Sequence, residues 1–455
     1  MNNNNVIDVR EVINGPKISG FQKLVVFFCF AIIAIDGFDV VVMGLAAPQI
    51  MQEWGVTAKD LGPVLSAALF GLSIGALVAG PLADKFGRKK VLVASVFFFG
   101  VFTVVTAFSQ DLTHLVIYRF LTGLGLGAAA PNAATLSSEY APVRRRAFFV
   151  TLAYCGFSLG AAAGGFVAAW MIPAFGWRSV ILLGGVLPLV LLPFMLWRMP
   201  ESLAVMVAKN APQAKIRAII NRISPNSANE HSRFVAGETA AKQQSALALV
   251  VSKPYFLGTM MLWMAYFTVL FLIYLCSSWL PTIIKMNDFS ISQAATVTSV
   301  FQIGGPLGCL FFGWAMDKFK PHKVLAIAMF VGALATYALG QFGHNLLLLS
   351  VCAWILGFCF NGGSVGMSAL ATNFYPTQAR ATGASWMNGI GRFGAILSAF
   401  AGAHMISQGY SLQTMFSLLV IPAVLAGLAV LVKGIKAREV SPPTLQSGQK
   451  TSLHS

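Results

Sequence analysis

Long apolar runs recur along this chain, separated by short joints that contain polar residues, glycine or proline. Each run is long enough to cross a hydrocarbon core of about 30 Å as one helix. The runs cover 23–47, 60–83, 90–108, 112–136, 147–170, 179–198, 255–281, 294–316, 323–342, 346–370, 381–405 and 412–432. The pattern therefore predicts an all-α membrane protein with twelve transmembrane helices.

A longer polar stretch, Met199 to Lys253, divides these runs into two groups of six. We expect a tail, a six-helix bundle, a central loop, a second six-helix bundle and a second tail, at 1–22, 23–198, 199–253, 254–432 and 433–455. Within the loop, the apolar spacing over 203–223 predicts a surface helix. The stretch 224–234, SPNSANEHSRF, is predicted to be flexible.

The two groups carry the same motif between their second and third runs. Gly80–Val91, GPLADKFGRKKV, aligns with Gly313–Val324, GWAMDKFKPHKV, with six identities in twelve positions at an offset of 233. The second copy has Pro321 and His322 in place of Arg88 and Lys89, so part of its charge is lost. The chain thus has two related halves, as in transporters whose halves move about a site at the membrane midplane.

Composition and charge fit a membrane protein and exclude a nucleic-acid partner. Charged residues make up only 10% of the chain, against about 25% in soluble proteins. The net charge is +16, but with the N-terminus inside, 26 of the 31 lysines and arginines fall in inside loops and tails. This distribution follows the positive-inside rule, so both termini are expected in the cytoplasm. Membrane lipid is expected to surround the helices. The six cysteines lie in apolar runs without metal-ligand spacing, and no metal site is expected.

Two carboxylates, Asp36 and Asp39, lie in the middle of the first apolar run. They are three residues apart and share one face of a helix. Because an acid at the bilayer centre costs about 2.5 to 3.5 kcal/mol or more, such residues usually have a function, and here they are predicted to carry protons. The alternative is a structural carboxylate pair held by hydrogen bonds from neighbouring helices.

Two arginines, Arg119 and Arg392, also lie within apolar runs, the fourth and the eleventh. At 1.5 Å per residue, their depths allow all four charged side chains to face one central cavity. We expect one arginine to bind a substrate carboxylate, and Arg119 to pair with Asp39 in one state and exchange partners in another. A permanent structural ion pair is the alternative for Arg119.

The motif at Gly80–Lys90 is predicted to be a gate between the halves. Gly80 is expected to permit close packing, Asp84 to end the second helix, and Arg88 to bind a carboxylate such as Glu139. Arg144 lies near Glu139 in sequence, and Asp317 is the counterpart of Asp84 in the second copy. A purely topological role explains the lysines of the motif but not Asp84 or the glycines.

These motifs resemble those of a known family. GPLADKFGRKK at 80–90, RFLTGLGLG at 119–127 and PES at 200–202 are similar to motifs of the major facilitator superfamily. Asp36-Gly-Phe-Asp39, followed by Gly44 and Ala47-Pro48, resembles the aromatic acid:proton symporter family, whose members take up benzoate, hydroxybenzoates, protocatechuate and vanillate. The resemblance implies a bacterial inner-membrane symporter that a proton gradient drives and that needs no cofactor. It does not indicate the particular acid or the oligomeric state.

Aromatic and amide side chains are candidates to line a site for a ring with hydroxyl groups. The set is Phe38, Asn132, Trp263, Tyr266, Trp386 and Asn388, although each such residue is more often a packing residue. Alternatives to aromatic acids are aliphatic dicarboxylates. A drug:proton antiporter is less favoured, because the fifth run lacks the Gly-Pro pair of antiporters. A membrane sensor is less favoured, because the sequence shows no large output domain. An enzyme is less favoured, because the sequence shows no nucleophile–base or cofactor motif.

Overall fold

The computed structural model describes residues 6–225, 227–229, 232–235, 246–375 and 379–436. Twelve helices in this part of the chain are long and apolar enough to cross a membrane, which confirms the predicted fold class. The first six are α2 Gly20–Trp54, α3 Ala58–Phe86, α4 Arg88–Ala107, α5 Leu112–Tyr140, α6 Arg146–Phe175 and α7 Trp177–Arg198. The second six are α11 Lys253–Lys285, α12 Ile291–Lys318, α13 Pro321–Gln341, α14 Leu346–Phe374, α15 Arg380–Ser407 and α16 Leu412–Lys436.

Most helices extend beyond the apolar runs because their ends are set by capping residues. Helix α2 covers Gly20–Trp54, where the apolar run is only 23–47. The Ser19 side chain accepts a hydrogen bond from the Gln22 amide, and the Gln22 side chain accepts one from the Ser19 amide. This capping box satisfies amides that the first turn leaves without partners. Gly55, with φ +63°, ends the helix in a left-handed conformation.

Helix α2 lies in a groove that the glycines of α6 form. Gly156, Gly160 and Gly164 recur every fourth residue, and a Cβ on each would contact or overlap the main chain of Phe30, Ala34 or Phe38. Small residues at this spacing let two backbones approach closely within a membrane. The groove therefore fixes the position of α2, and with it the position of its two carboxylates.

The internal repeat extends from the motif to the packing of whole helices. A Cβ on Gly71 or Gly75 of α3 would overlap main-chain carbonyls of α5, and a Cβ on Gly304 or Gly308 of α12 would approach or overlap those of α14. The two glycine pairs are separated by the same offset of 233 as the motif copies. Each half is thus built on the same close contact between its second and fourth helices.

The described parts of the N-terminal tail and the central segment add short strands and short helices to the twelve long ones. A short strand, β1 Val6–Asp8, pairs in parallel with β2 Arg233–Val235. The predicted surface helix is two helices, because Asn210 has φ +50° and Pro212 follows it. The short helices are α1 Val9–Ile13, α8 Leu203–Ala208, α9 Gln213–Ile223 and α10 Ala246–Val250. Of the stretch predicted to be flexible, 226 and 230–231 lie outside the described residues, as do 1–5, 236–245 and 437–455 of the tails and loop.

The tail and the central segment pack on one end of the helix bundle, which we call the loop end. Gln22 Nε2 donates to the carbonyls of Ile13 at 3.1 Å and Tyr140 at 2.9 Å. Lys209 Nζ donates to the Lys85 carbonyl at 2.6 Å. These bonds tie the tail and the central segment to the first half.

The halves contact each other away from the loop end. A Cβ on Gly44 of α2 would lie 2.7 Å from the carbonyl oxygens of Ser277 and Ser278 on α11, and one on Gly62 of α3 would lie 3.1 Å from Cβ of Ala403 on α15. At the loop end, by contrast, a Cβ on Gly80 or Gly313 would meet no heavy atom within 4 Å. The described contacts between the halves thus concentrate away from the loop end, as in an arrangement with that end open.

Candidate transport site and gate

An ion pair lies inside the first half, between α2 and α5. Arg119 Nη1 is 2.9 Å from both carboxylate oxygens of Asp39 and donates a hydrogen bond to Oδ1. Both residues are buried, with 3% and 4% of their surface exposed. Thr103 Oγ1 also donates to Asp39 Oδ1, at 3.5 Å. The pairing is the one expected from depth along the two helices, whereas its role in transport stays a prediction.

The ion pair is incompletely satisfied. Asp39 Oδ2 lies 2.9 Å from Arg119 Nη1 but outside hydrogen-bond geometry, and Arg119 Nε is buried without a hydrogen-bond partner among the described residues. A buried polar atom without a partner costs about 1 to 3 kcal/mol, and more when it is charged. The pair therefore has spare donor and acceptor capacity, which a partner exchange requires.

Asp36 lies one turn from Asp39 and is also buried. Its Oδ1 has no hydrogen-bond partner among the described residues. The charged groups that act on it are Asp39, Arg392 and Arg119. Asp36 is thus a buried carboxyl group beside a second acid and two arginines.

Arg392 lies on α15 of the second half and reaches into the first half. Its Nη1 donates to the main-chain carbonyl of Leu72 on α3 at 2.7 Å. The side chain is partly exposed, unlike that of Arg119. Of the two arginines, Arg392 is therefore the one that a substrate in the cavity can reach directly.

Three tyrosines lie near Arg392, and the sequence analysis proposed only one of them, Tyr266. Tyr154, Tyr266 and Tyr274 all lie within electrostatic range of its guanidinium, and Tyr154 and Tyr274 also of Asp36. Tyr154 exposes 44% of its surface while these charges act on it, so it faces the cavity. Tyr266 and Tyr274 are eight residues apart on α11 and therefore share a face, a signal that the sequence did contain.

The aromatic and amide candidates of the second half lie on the loop side of Arg392. The rings of Trp263 and Trp386 stack with centroids 5.9 Å apart, and Trp386 is 43% exposed. Tyr266 Oη donates to Asn388 Oδ1 at 3.0 Å. Asn388 is four residues before Arg392 and shares its face of α15. These side chains line the path between Arg392 and the open end.

Two candidates of the first half lie in helix packing. The Phe38 ring fits against Gly164 and Gly184, where a Cβ would come within 3.2 Å and 3.3 Å of ring atoms. The ring fills the space between α2, α6 and α7, and its role in substrate binding stays a prediction. Asn132 is buried, and its Nδ2 donates to the Ala128 carbonyl of its own helix at 2.9 Å.

Arg88 binds Glu139 at the loop end, the partner that the sequence indicated. Arg88 Nε is 2.7 Å from Glu139 Oε1. Asp84 is 3.9 Å from Arg88 and its side chain is 75% exposed. Asp84 does not end α3, which continues to Phe86 and ends because Gly87 adopts φ +106°. Asp84 is therefore available for a further contact.

The conformation of Gly87 makes room for Glu201, a residue that the site prediction did not include. A Cβ on Gly87 would overlap the Glu201 carboxylate. Glu201 Oε1 accepts hydrogen bonds from the amides of Lys89 at 3.1 Å and Ser202 at 2.9 Å. The carboxylate thus caps α4 at its positive end. In the sequence, the Pro200-Glu201-Ser202 motif was the feature that could have indicated a role for Glu201.

Three further residues predicted for the gate, Gly80, Arg144 and Asp317, do not make gate contacts with the other described residues in this structure. Gly80 is exposed and permits no close contact here. Arg144 does not join Glu139, because its Nη2 donates to the carbonyls of Gly15 at 3.0 Å and Pro16 at 2.5 Å. Asp317 is exposed at the end of α12, as Asp84 is in the first half.

Comparison with known proteins agrees with this architecture. A family model described as Major Facilitator Superfamily matches residues 28–292 and 283–454. The 4-hydroxybenzoate transporter PcaK of Pseudomonas putida is 47% identical over 431 residues, covering 94% of this chain and 96% of that protein. The gallate transporter of Pseudomonas putida is 43% identical over 436 residues, covering 96% and 97%. The fold is similar to the inward open conformation of the xylose transporter XylE from E. coli, with a TM-score of 0.70 at 17% identity, covering 90% of this chain and 95% of that one.

Two related six-helix halves around buried charges define a membrane transporter. It is a multi-pass protein of the bacterial inner membrane and not an enzyme. The chain belongs to the Major Facilitator Superfamily, and within it to the family that contains the aromatic acid transporters it resembles.

Proposed function

We propose that the protein imports small aromatic carboxylates together with protons, by exposing one central site alternately to the two sides of the membrane. The observation that carries this proposal is the buried Asp39–Arg119 pair beside Asp36, whose Oδ1 lacks a hydrogen-bond partner among the described residues. The names of the relatives support aromatic carboxylates such as 4-hydroxybenzoate or gallate as the substrate class.

Arg392 is the proposed carboxylate ligand. A guanidinium grips a carboxylate through two parallel hydrogen bonds, which fixes the orientation of the acid. Tyr154, Tyr266 and Tyr274 lie around it and offer ring faces for an aromatic substrate and hydroxyl groups for its substituents. The stacked pair Trp263 and Trp386 then borders the path to the loop end.

Asp36 and Asp39 are the proposed proton carriers. An anion that enters against a negative interior potential needs compensation, because each elementary charge costs about 2.3 kcal/mol per 100 mV. A proton on Asp39 would weaken its bond to Arg119 and free that guanidinium. The proton gradient then supplies the driving force, and no cofactor is needed.

The loop end is the proposed cytoplasmic end, because the positive charges of the loops and tails lie there. The Gly80–Lys90 motif and its second copy are the proposed gate. In the described state Gly80, Asp84 and Asp317 face open space or solvent. When the loop end closes, they are the groups that come to face the opposite half.

The test is uptake into proteoliposomes with an imposed inward proton gradient. Labelled 4-hydroxybenzoate, gallate, benzoate and an aliphatic dicarboxylate are compared, with and without an uncoupler. We expect accumulation of at least one aromatic acid and its abolition by the uncoupler. Accumulation of only the dicarboxylate would replace the substrate class, and uncoupler-insensitive accumulation would refute proton coupling.

A further inference from the structure

Two of the six cysteines meet across the boundary between the halves. Cys155 lies on α6 of the first half and Cys309 on α12 of the second, and the two thiols are close enough to act electrostatically on each other. The proposed transport cycle moves these two helices relative to each other. Two neighbouring thiols at this place therefore lie between the two halves and not within one of them.

The pair belongs to a regular antiparallel seam between α6 and α12. Ser292 Oγ donates to the Ala169 carbonyl at 2.5 Å, near the end of the seam away from the loop end. Further along, a Cβ on Gly165 would overlap Ser299 Oγ. As residue numbers fall on α6 they rise on α12, so the two helices run antiparallel.

The next steps of the seam bring the backbones close beside the cysteines. A Cβ on Gly305 would lie 2.9 Å from Ser158 Oγ and 3.4 Å from Ser158 Cβ. Cys155 and Cys309 follow about one turn further along each helix, toward the loop end. A disulfide requires Cα atoms within about 7 Å, which helices reach where glycine and serine face each other.

The pair also differs from the other cysteines in exposure. Cys155 and Cys309 are half-buried, whereas Cys29, Cys276, Cys352 and Cys359 are buried. Thiol oxidation depends on exposure as well as on thiolate character, so a small oxidant reaches this pair before the four buried cysteines.

We propose that Cys155 and Cys309 form a modification site for thiol oxidants such as hydrogen peroxide, and that the resulting disulfide clamps α6 to α12 and stops transport. One thiolate attacks a peroxide oxygen, the O–O bond breaks, and a sulfenic acid and water form. The second thiol attacks the sulfenic sulfur, so the S–S bond forms and a second water leaves. The thiols lose two electrons to the peroxide, and a dithiol reductant reverses the change.

The disulfide would hold the halves in the arrangement with the loop end open. Rocking of the halves has to change the seam, because closing the loop end tilts α6 against α12. A covalent bond between two helices of opposite halves restrains this change in their relative orientation. Transport would stop while the protein remains folded and the substrate site remains intact.

The test uses the full-length protein in proteoliposomes treated with hydrogen peroxide, followed by removal of the peroxide. Maleimide labelling after denaturation counts free thiols, mass spectrometry identifies linked peptides, and uptake is measured before and after treatment with dithiothreitol. We expect loss of two thiols, a Cys155–Cys309 linked peptide, and a fall in uptake of about tenfold or more that the reductant reverses.

Single variants decide whether the pair is responsible. Uptake by Cys155→Ser and Cys309→Ser should resist peroxide, with Cys155→Ala and Cys309→Ala as second variants where serine impairs folding. Cys352→Ser, a buried control, should remain sensitive. Equal peroxide sensitivity of the pair variants, links between two chains instead of within one, or a disulfide without loss of uptake would each overturn the proposal. Absence of uptake before any oxidation would instead count against the proposed substrate, and the thiol count would still test the site.

Discussion

Arg392 of the second half donates from Nη1 to the main-chain carbonyl of Leu72 in the first half, across 2.7 Å. In the described state the guanidinium is thus held by a neutral oxygen. A carboxylate is a stronger acceptor for a guanidinium, because both partners are charged and two bonds form. A bound carboxylate would therefore draw Arg392 away from Leu72 and loosen a contact between the halves. One side chain then links substrate binding to the relative position of the halves.

The first prediction follows from the geometry of this arginine. Arg392→Lys should raise the KM for uptake of an aromatic acid by at least about tenfold, or ~1.4 kcal/mol, because an ammonium cannot make the paired bonds of a guanidinium. Initial rates in proteoliposomes at varied substrate concentration measure it. Arg178→Lys is the matched control, since Arg178 binds Glu53 at the end of the bundle away from the loop end. An unchanged KM in Arg392→Lys would remove this residue from the site.

The second prediction concerns the buried ion pair. Asp39→Asn leaves Arg119 with an uncompensated charge and should lower the free energy of unfolding by about 3 to 5 kcal/mol. Adding Arg119→Gln should recover most of that loss, because no buried charge remains. Neither variant should show proton-driven uptake. Thermal unfolding in detergent and uptake under an imposed gradient measure the two effects. Proton-driven uptake at the wild-type rate in Asp39→Asn would exclude a coupling role.

The fold was predictable from run length and from the internal repeat, but the helix ends were not. Twelve apolar runs predict twelve helices, because lipid offers no hydrogen-bond partner and a helix satisfies its own backbone groups. The end of α2 depends instead on Gly55 and its beginning on Ser19, which lie outside the apolar run. Similarly, β1 pairs with a strand more than two hundred residues away, and no local pattern specifies such a partner.

The charged part of the site was predictable from depth, whereas the uncharged part was not. Asp39 and Arg119 are expensive in a membrane, so their presence alone indicates that they meet. Aromatic residues carry no such cost. Phe38 and Tyr154 are both aromatic residues within apolar runs, and the sequence does not distinguish their roles. In the structure, Phe38 packs against glycines and Tyr154 faces the cavity. The Gly87–Glu201 contact depends on a backbone angle and on long-range folding, which spacing does not indicate.

The third prediction compares two glycines of one motif. Gly87→Ala should lower the free energy of unfolding by about 1 to 3 kcal/mol, because alanine is strained at φ +106° and its Cβ overlaps Glu201. Gly80→Ala should not destabilise this state, because no heavy atom lies within 4 Å of the added carbon. Thermal unfolding of both variants in detergent tests the contrast. Equal stability of the two variants would contradict it.

The same Gly80 variant tests the gate by a different measurement. If the loop end closes on Gly80, an added methyl group hinders closure and should slow uptake without lowering stability. Gly20→Ala is a suitable control, since its Cβ also meets no atom within 4 Å but Gly20 lies outside the motif. Wild-type uptake in Gly80→Ala would mean that this glycine makes no close contact in the closed state.

The fourth prediction separates proton coupling from substrate binding at Asp36. Asp36→Asn is nearly isosteric and removes a buried carboxyl oxygen that has no hydrogen-bond partner among the described residues, so the free energy of unfolding should change by less than about 1 kcal/mol. Exchange of labelled for unlabelled aromatic acid without a gradient should persist, because Arg392 and the tyrosines remain. Accumulation driven by an imposed proton gradient should fall at least about tenfold. If exchange and accumulation fall together, Asp36 serves binding instead, and if neither falls, protons are carried by Asp39 or another group.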